Sequence, residues 1–142
     1  MLSDMLLLAT NAHDGQFDKA GKPYILHCLK VMHYLKTEDE ELMCIALGHD
    51  LIEDTYVSYD ALESRDFSER VIQGILAMTR GADQSYDEYK QQVFASEDAM
   101  RVKLCDLRHN SDIRRLKGVT EKDIARMIKY HQFYLEIKEH LK

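Results

Sequence analysis

The chemistry-bearing residues of this chain are densest near its middle. His49-Asp50-Leu51-Ile52-Glu53-Asp54-Thr55 places four ionisable side chains within six positions. On a helix, His49 and Glu53 share one face at i,i+4, and Asp50 and Asp54 share another. A neutral imidazole beside a carboxylate can hold one divalent ion. The next turn then offers two more carboxylates to orient water or ligands. The flanking Leu47, Leu51 and Ile52 mark this turn as partly buried, and a buried carboxylate is costly without a partner. The alternative is a polar helix end with an incidental histidine, since one His-Asp pair occurs by chance in many chains.

Two other positions have the chemistry to complete such a site. His27 follows Pro23-Tyr24-Ile25-Leu26 in the first turns of a helix. Asp106 sits on or beside the apolar stripe of its helix, in Val102-Lys103-Leu104-Cys105-Asp106-Leu107-Arg108-His109-Asn110. Taken singly, His27 reads more readily as a satisfied core histidine, and Asp106 equally as a cap or an ion pair with Lys103 or Arg108. Cys28, Cys44 and Cys105 are odd in number, lack CxxC spacing and sit among apolar residues. They read as buried thiols in a reducing cytoplasm, not as a disulfide frame or a zinc site.

The elements that must position these groups are helical throughout. Leu2, Met5, Leu6, Ala9 and Ala12 follow 3–4 spacing, and a two-glycine loop covers residues 14–22. Pro23 suits the first turn of the next helix, whose face carries Ile25, Leu29, Met32 and Leu35. A third helix carries Leu42, Ile45, Ala46 and His49. Ser58, Ser68, Ser85 and Ser96 are N-caps for helices near 59–65, near 69–79, over Tyr86 to Val93, and over Ala99 to Ile113. Gly118 is the expected stop of that long helix, and Thr120 with Asp123 opens the last one as a capping box. No segment alternates with period two. The expectation is an all-α single domain of seven or eight helices.

The 142 residues suit one domain with room for both a core and a pocket. The net charge of −6 argues against a nucleic-acid polymer as partner. No apolar run approaches the roughly 20 residues that span a bilayer. The Met5-Leu6-Leu7-Leu8-Ala9 run is too short, and wrongly flanked by Asp4, for a signal peptide. The charge is unevenly spread. Residues 37–70 hold eleven acids against two arginines, and residues 101–142 hold eleven bases against six acids. Such segregation fits either ordinary solvated helix faces or a site with a metal-holding side and a phosphate-holding side.

The order His, His-Asp, Asp, with the pair followed by Ile-Glu-Asp-Thr, resembles the HD-domain metal-dependent phosphohydrolases. Within them it is most similar to the RelA/SpoT-type alarmone hydrolases. The pieces that carry the resemblance are Ala12-His13-Asp14-Gly15-Gln16, the run from Lys19 to His27, the run from His49 to Thr55, and Val102 to Asp106 with His109-Asn110. The resemblance implies that His27, His49, Asp50 and Asp106 ligate a metal ion, usually Mn²⁺, and that Glu53 and Asp54 act on the attacking water. Two imidazoles and two carboxylates suit a borderline-to-hard ion with open octahedral positions, and the lack of thiolates speaks against structural zinc. It also implies nucleotide contacts from Lys19, Asn110, Arg126 and Tyr130. Lys103 and Arg108 are further phosphate candidates by their chemistry. One position departs from the pattern. The loop after Gly15-Gln16 carries Asp18-Lys19 where the family has two adjacent basic residues.

The expectation is therefore a single cytoplasmic HD phosphohydrolase domain over residues 1–142, using Mn²⁺ or another divalent ion. Its partner would be a small phosphorylated nucleotide, first of all a (p)ppGpp-like 3′-pyrophosphate ester. No membrane partner is expected, and the oligomeric state is left open. Two alternatives stand beside this reading: an HD-type nucleotidase or phosphatase on simpler nucleotides, suggested by Asp18, and a nucleotide-binding HD module without turnover.

Overall fold

Serine, threonine and aspartate side chains ahead of apolar runs become the helix starts of the computed structural model, which describes residues 1–142. The chain forms α1 (Leu2–Ala12), α2 (Ile25–Tyr34), α3 (Glu40–Gly48), α4 (Leu51–Asp54), α5 (Tyr59–Ser64), α6 (Glu69–Ala77), α7 (Tyr86–Phe94), α8 (Glu97–Asn110) and α9 (Glu121–His140), with a 3₁₀ turn over Ile113–Arg115. No strand forms, and the only bridge is an isolated Phe17–Pro23 pair. Ser58, Ser68, Ser85, Ser96 and Thr120 accept from the amides of Ala61, Val71, Glu88, Ala99 and Asp123. Each bond satisfies an amide that the helix itself leaves unpaired. Glu88 and Asp123 return the bond to Ser85 and Thr120 and complete capping boxes.

α3 is the centre of the bundle, with Cys44, Ile45, Ala46, Leu47 and Gly48 all buried. α1, α2, α6 and α8 pack around it, and α9 lies along α8. Glycine eases the crossing of α6 on α3. A Cβ on Gly74 of α6 would lie 2.3 Å from Ile45 Cδ1, so a larger residue there would force Ile45 to move. Phe133 and Ile137 dock α9 into the core, where Tyr86, Tyr89 and Phe94 surround the Phe133 ring.

Two boundaries differ from expectation. The helix expected through His49 and onward stops at Gly48; His49 and Asp50 form a turn, and α4 starts afresh at Leu51. A Cβ on Gly48 would lie 2.8 Å from Ile75 Cδ1 and 3.0 Å from Met5 Sδ, so a larger residue at the end of α3 would press on both. The i,i+4 pairing of His49 with Glu53 on one continuous helix is therefore replaced by a bend. The helix expected to reach Gly118 ends at Asn110, where Asp112 instead caps the 3₁₀ turn through the Arg114 amide. Cys28 and Cys44 are buried, while Cys105 is only partly so. Burial pushes all three thiols up, to about 12, 11 and 11. No helix is long and apolar enough to cross a membrane.

Candidate active site

Three elements bring four of the expected residues to one point beneath the surface. α2 supplies His27, the turn after α3 supplies His49 and Asp50, and α8 supplies Asp106. His27 and His49 are each 1% exposed and Asp106 is 4% exposed, which is a rare depth for such groups without strong partners. His27 Nε2 lies 2.9 Å from Asp106 Oδ1. His49 Nε2 lies 3.0 Å from Asp50 Oδ2 and 3.3 Å from Asp106 Oδ1. Ligand atoms of His27, His49 and Asp50 all fall within 4.8 Å of one another, and Asp106 joins them through its bond to His27 Nε2 and its 3.3 Å approach to His49 Nε2.

The histidine nitrogens show what this arrangement requires. His49 Nδ1 is 2.7 Å from the Ala46 carbonyl and donates its proton there. Its neutral tautomer therefore turns a bare Nε2 toward two carboxylates, and that buried nitrogen has no hydrogen-bond partner. Burial opposes charge on His49, yet Asp50 and Asp106 outweigh it and raise its pKa well above the usual value. Burial likewise opposes charge on Asp50, but His49 outweighs it and holds Asp50 down to about 2. The cluster thus calls for positive charge between Nε2 and the carboxylates, which a proton or a metal ion can supply. Two nitrogens and two carboxylates converging on one point fit a divalent cation.

Neighbouring side chains hold the ligands in place. Tyr24 donates its hydroxyl to Asp50 Oδ2 at 2.5 Å. Lys103 Nζ donates to Asp106 Oδ2, and Asn110 Nδ2 to Asp106 Oδ1, both at 2.9 Å. His109 Nδ1 faces His27 Nδ1 at 2.7 Å, so one proton is shared between the rings. Desolvation, with the Arg115 and His27 charges, holds His109 down to about 4. At neutral pH it is an uncharged partner for His27.

Glu53 and Asp54 stand at the solvent side of the cluster, with carboxylate oxygens of Asp50, Glu53 and Asp54 within 4.8 Å of one another. Glu53 Oε1 accepts from the Arg80 amide at 2.6 Å, which ties it to the segment between α6 and α7. Asp54 keeps solvent contact, but desolvation by its surroundings, with the charges of Asp50 and Glu53, pushes its pKa up to about 6. Two adjacent carboxylates, Glu53 tied to a backbone amide and Asp54 with its raised pKa, can divide the roles of base and acid.

A cavity of about 330 Å³ opens alongside, lined in part by Lys19, Tyr24, Asn110, Arg115, Arg126 and Tyr130. Four of the six expected substrate contacts thus border one cavity. Lys103 is brought instead to the Asp106 cluster. Arg108 is brought to neither place; its guanidinium lies 3.8 Å from the centre of the Tyr34 ring. Arg126 pairs with Asp123, and Lys19 is 3.8 Å from the same carboxylate. Asp18 also borders the cavity, bonded to Arg115 at 3.3 Å. Tyr24 and Arg115 are the residues that reading the sequence missed. Tyr24 had a weak signal, its place three residues before His27. Arg115 had none beyond its basic character.

No model of a known protein family matches the chain. Individual proteins do. It is 32% identical over 111 residues to the guanosine-3′,5′-bis(diphosphate) 3′-pyrophosphohydrolase of Aquifex aeolicus, a match spanning 73% of this chain and 16% of that protein. It is 31% identical over 123 residues to the bifunctional (p)ppGpp synthase/hydrolase SpoT of Escherichia coli K12, spanning 77% of this chain and 17% of the other. The chain therefore covers about a sixth of the length of these curated relatives. Among solved structures, a metazoan orthologue of SpoT described as hydrolysing ppGpp superposes with a TM-score of 0.79 at 23% identity, over 96% of this chain and 84% of that one. This likeness shows that the fold is shared.

Proposed function

The chain belongs to the HD-type hydrolase domains of the RelA/SpoT family, and from that premise we propose that it is a divalent-metal-dependent 3′-pyrophosphohydrolase acting on a (p)ppGpp-like nucleotide. The observation that carries the proposal is the buried, unpartnered Nε2 of His49 aimed at Asp50 and Asp106, with His27 Nε2 on the same carboxylate. In this reading His27, His49, Asp50 and Asp106 hold the ion, with Mn²⁺ the first candidate, and residues 1–142 act as one hydrolase domain. When bound, the ion supplies Lewis-acid activation of water and charge neutralisation at phosphorus.

The remaining steps belong to side chains. Glu53, anchored by the Arg80 amide, takes a proton from the attacking water. Asp54, with its raised pKa, carries a proton to the departing 3′-oxygen. Water adds to phosphorus, the bond to the 3′-oxygen breaks, and pyrophosphate leaves with the nucleoside 5′-diphosphate as the other product. Lys19, Asn110, Arg126 and Tyr130 line the space for base and sugar. Tyr24 and Lys103 fix the orientation of Asp50 and Asp106.

The test is release of pyrophosphate from ppGpp by the purified chain, with Mn²⁺ and with chelator. The reading expects ion-dependent turnover that Asp106→Ala abolishes. Metal binding without release of phosphate or pyrophosphate from any nucleotide tried would refute catalysis. Asp18 favours a second substrate reading, a simpler nucleotide. In this loop its carboxylate is bonded to Arg115 and draws down the positive charge of the cavity. Faster release of phosphate from nucleoside monophosphates than of pyrophosphate from ppGpp would select it.

A further inference from the structure

A second cavity, of about 490 Å³, adjoins the first. The two share Asp18, Ala20, Arg115 and Leu116, so the Asp18–Arg115 pair forms a partition between them. The second cavity is bordered by Lys22, Lys30, Arg114, Arg115 and Lys117, with Asp18 as its sole carboxylate, in a chain whose net charge is −6. That carboxylate is already engaged by the amides of Ala20 and Lys22 and by Arg115. The lysine ion pairs of the chain use Lys19, Lys90, Lys103 and Lys142. Lys22, Lys30 and Lys117 are left without an acidic partner. Like charges gathered round one concavity focus a positive potential there. The size suits a ligand as large as a nucleotide, and Leu26 and Leu116 add apolar lining.

His109 borders the same cavity and touches His27. His109 Nε2 makes no hydrogen bond within the protein, and the other ring nitrogen shares one proton with His27, so a charge that settles beside His109 bears on that proton. Arg115 reaches the other way, donating to Asn110 Oδ1 at 3.2 Å and to the His109 carbonyl at 2.9 Å. An anion that draws on Arg115 competes with Asp18 and Asn110.

We propose that this cavity is a second ligand site, for a small phosphate-bearing anion, whose occupancy is felt at the metal-site cluster through His109 and at the first cavity through Arg115. Binding there requires no turnover, so the inference stands or falls apart from the hydrolase reading.

Calorimetric titration of the metal-free chain with inorganic pyrophosphate, and separately with guanosine 5′-diphosphate, tests it. Saturable binding is expected, weakening as NaCl is raised from about 50 to 200 mM. Lys30→Glu/Lys117→Glu should weaken it at least tenfold, and Lys22→Glu/Lys30→Glu should do the same if the first pair perturbs folding by circular dichroism. Arg126→Ala, which alters the first cavity, should leave it within about twofold. Tighter binding of the diphosphate nucleotide would assign a nucleotide to the site, and equal or weaker binding would assign the free anion. Imidazole ¹⁵N resonances of His109 and His27 should shift on titration in the wild type and stay still in the lysine variants. Absence of saturable binding, or binding lost in Arg126→Ala and kept in both lysine variants, would overturn the site. Binding that leaves both imidazoles unmoved would overturn the coupling.

Discussion

Lys103→Met is the most informative single perturbation, because Lys103 is the one fixed cation bonded into the buried carboxylate cluster. Its ammonium lies 2.9 Å from Asp106 Oδ2, with the two side chains 15% and 5% exposed. Burial opposes its charge, but Asp106 outweighs that and raises its pKa. Methionine keeps the length of the stem and removes the charge. Asp106 retains Asn110 and the two histidines, so the loss falls at the lower end of the range for breaking a buried pair, about 3 kcal/mol. At about 3 °C per kcal/mol for a domain of this size, the metal-free variant should melt about 9 °C below wild type. Mn²⁺ at a hundredfold excess over its Kd should stabilise wild type by about 2.7 kcal/mol. It should stabilise the variant by more, because the Asp106 charge is no longer shared with an ammonium. Thermal melts in chelator and in Mn²⁺ measure both shifts. A metal-free variant that melts with wild type would refute the reasoning. So would a Mn²⁺ shift no larger than that of wild type.

Tyr24→Phe removes the hydroxyl that orients Asp50; Mn²⁺ affinity by calorimetry should fall about tenfold or more. Gly74→Ala would force a methyl into Ile45, and the melt should show a loss of about 1–3 kcal/mol. Arg70 joins the N-cap of α3 to the first turn of α8 through Asp39 and Asp98, while remaining 38% exposed. Screening limits the cost of Arg70→Ala to about 1 kcal/mol at pH 7. The Arg70 guanidinium holds Asp39 below the usual carboxylate range, so this stability is present above that range and lost as pH falls through the lowered value. Denaturant titrations should therefore show the gap between variant and wild type closing as pH falls below the usual carboxylate range.

The helix starts were legible because a cap is a local bond. Ser58, Ser68, Ser85, Ser96 and Thr120 each reach an amide three residues on, and that partner is written beside them in the sequence. The break after Gly48 was not legible, because Leu47, Leu51 and Ile52 carry the apolar pattern of α3 straight through it. The end of α8 was misplaced although its signals are local. Ser111 and Asp112 close it through their own side chains, while Gly118 lies in the loop beyond. Within the site, the resemblance to the HD phosphohydrolases implied His27, His49, Asp50 and Asp106 as a set. The groups that orient them are tertiary. The Tyr24–Asp50 bond spans 26 positions and the Arg115–Asp18 contact spans 97, and neither has a periodic trace.

Asp18 shows how a departure from a pattern acquires a physical reason. In a site expected to bind phosphates, a carboxylate at this loop position looks like a loss of affinity. The loop itself needs an acceptor there. Asp18 Oδ1 takes the amides of Ala20 and Lys22, each at 2.9 Å, across a turn in which Gly21 has φ +82°. A lysine or arginine could not close that turn, since neither offers an acceptor. The second carboxylate oxygen is met by Arg115, whose guanidinium borders the same cavity. The cation missing from the loop is thus supplied from the segment after α8, and it arrives with an acid attached. An Arg115 held by Asp18 and Asn110 has less freedom to grip a phosphate than a lone loop arginine, and more to gain from an anion on its other side. Asp18 borders both cavities and lowers the charge of each, and the second, with three unpaired lysines, is the more positive of the two.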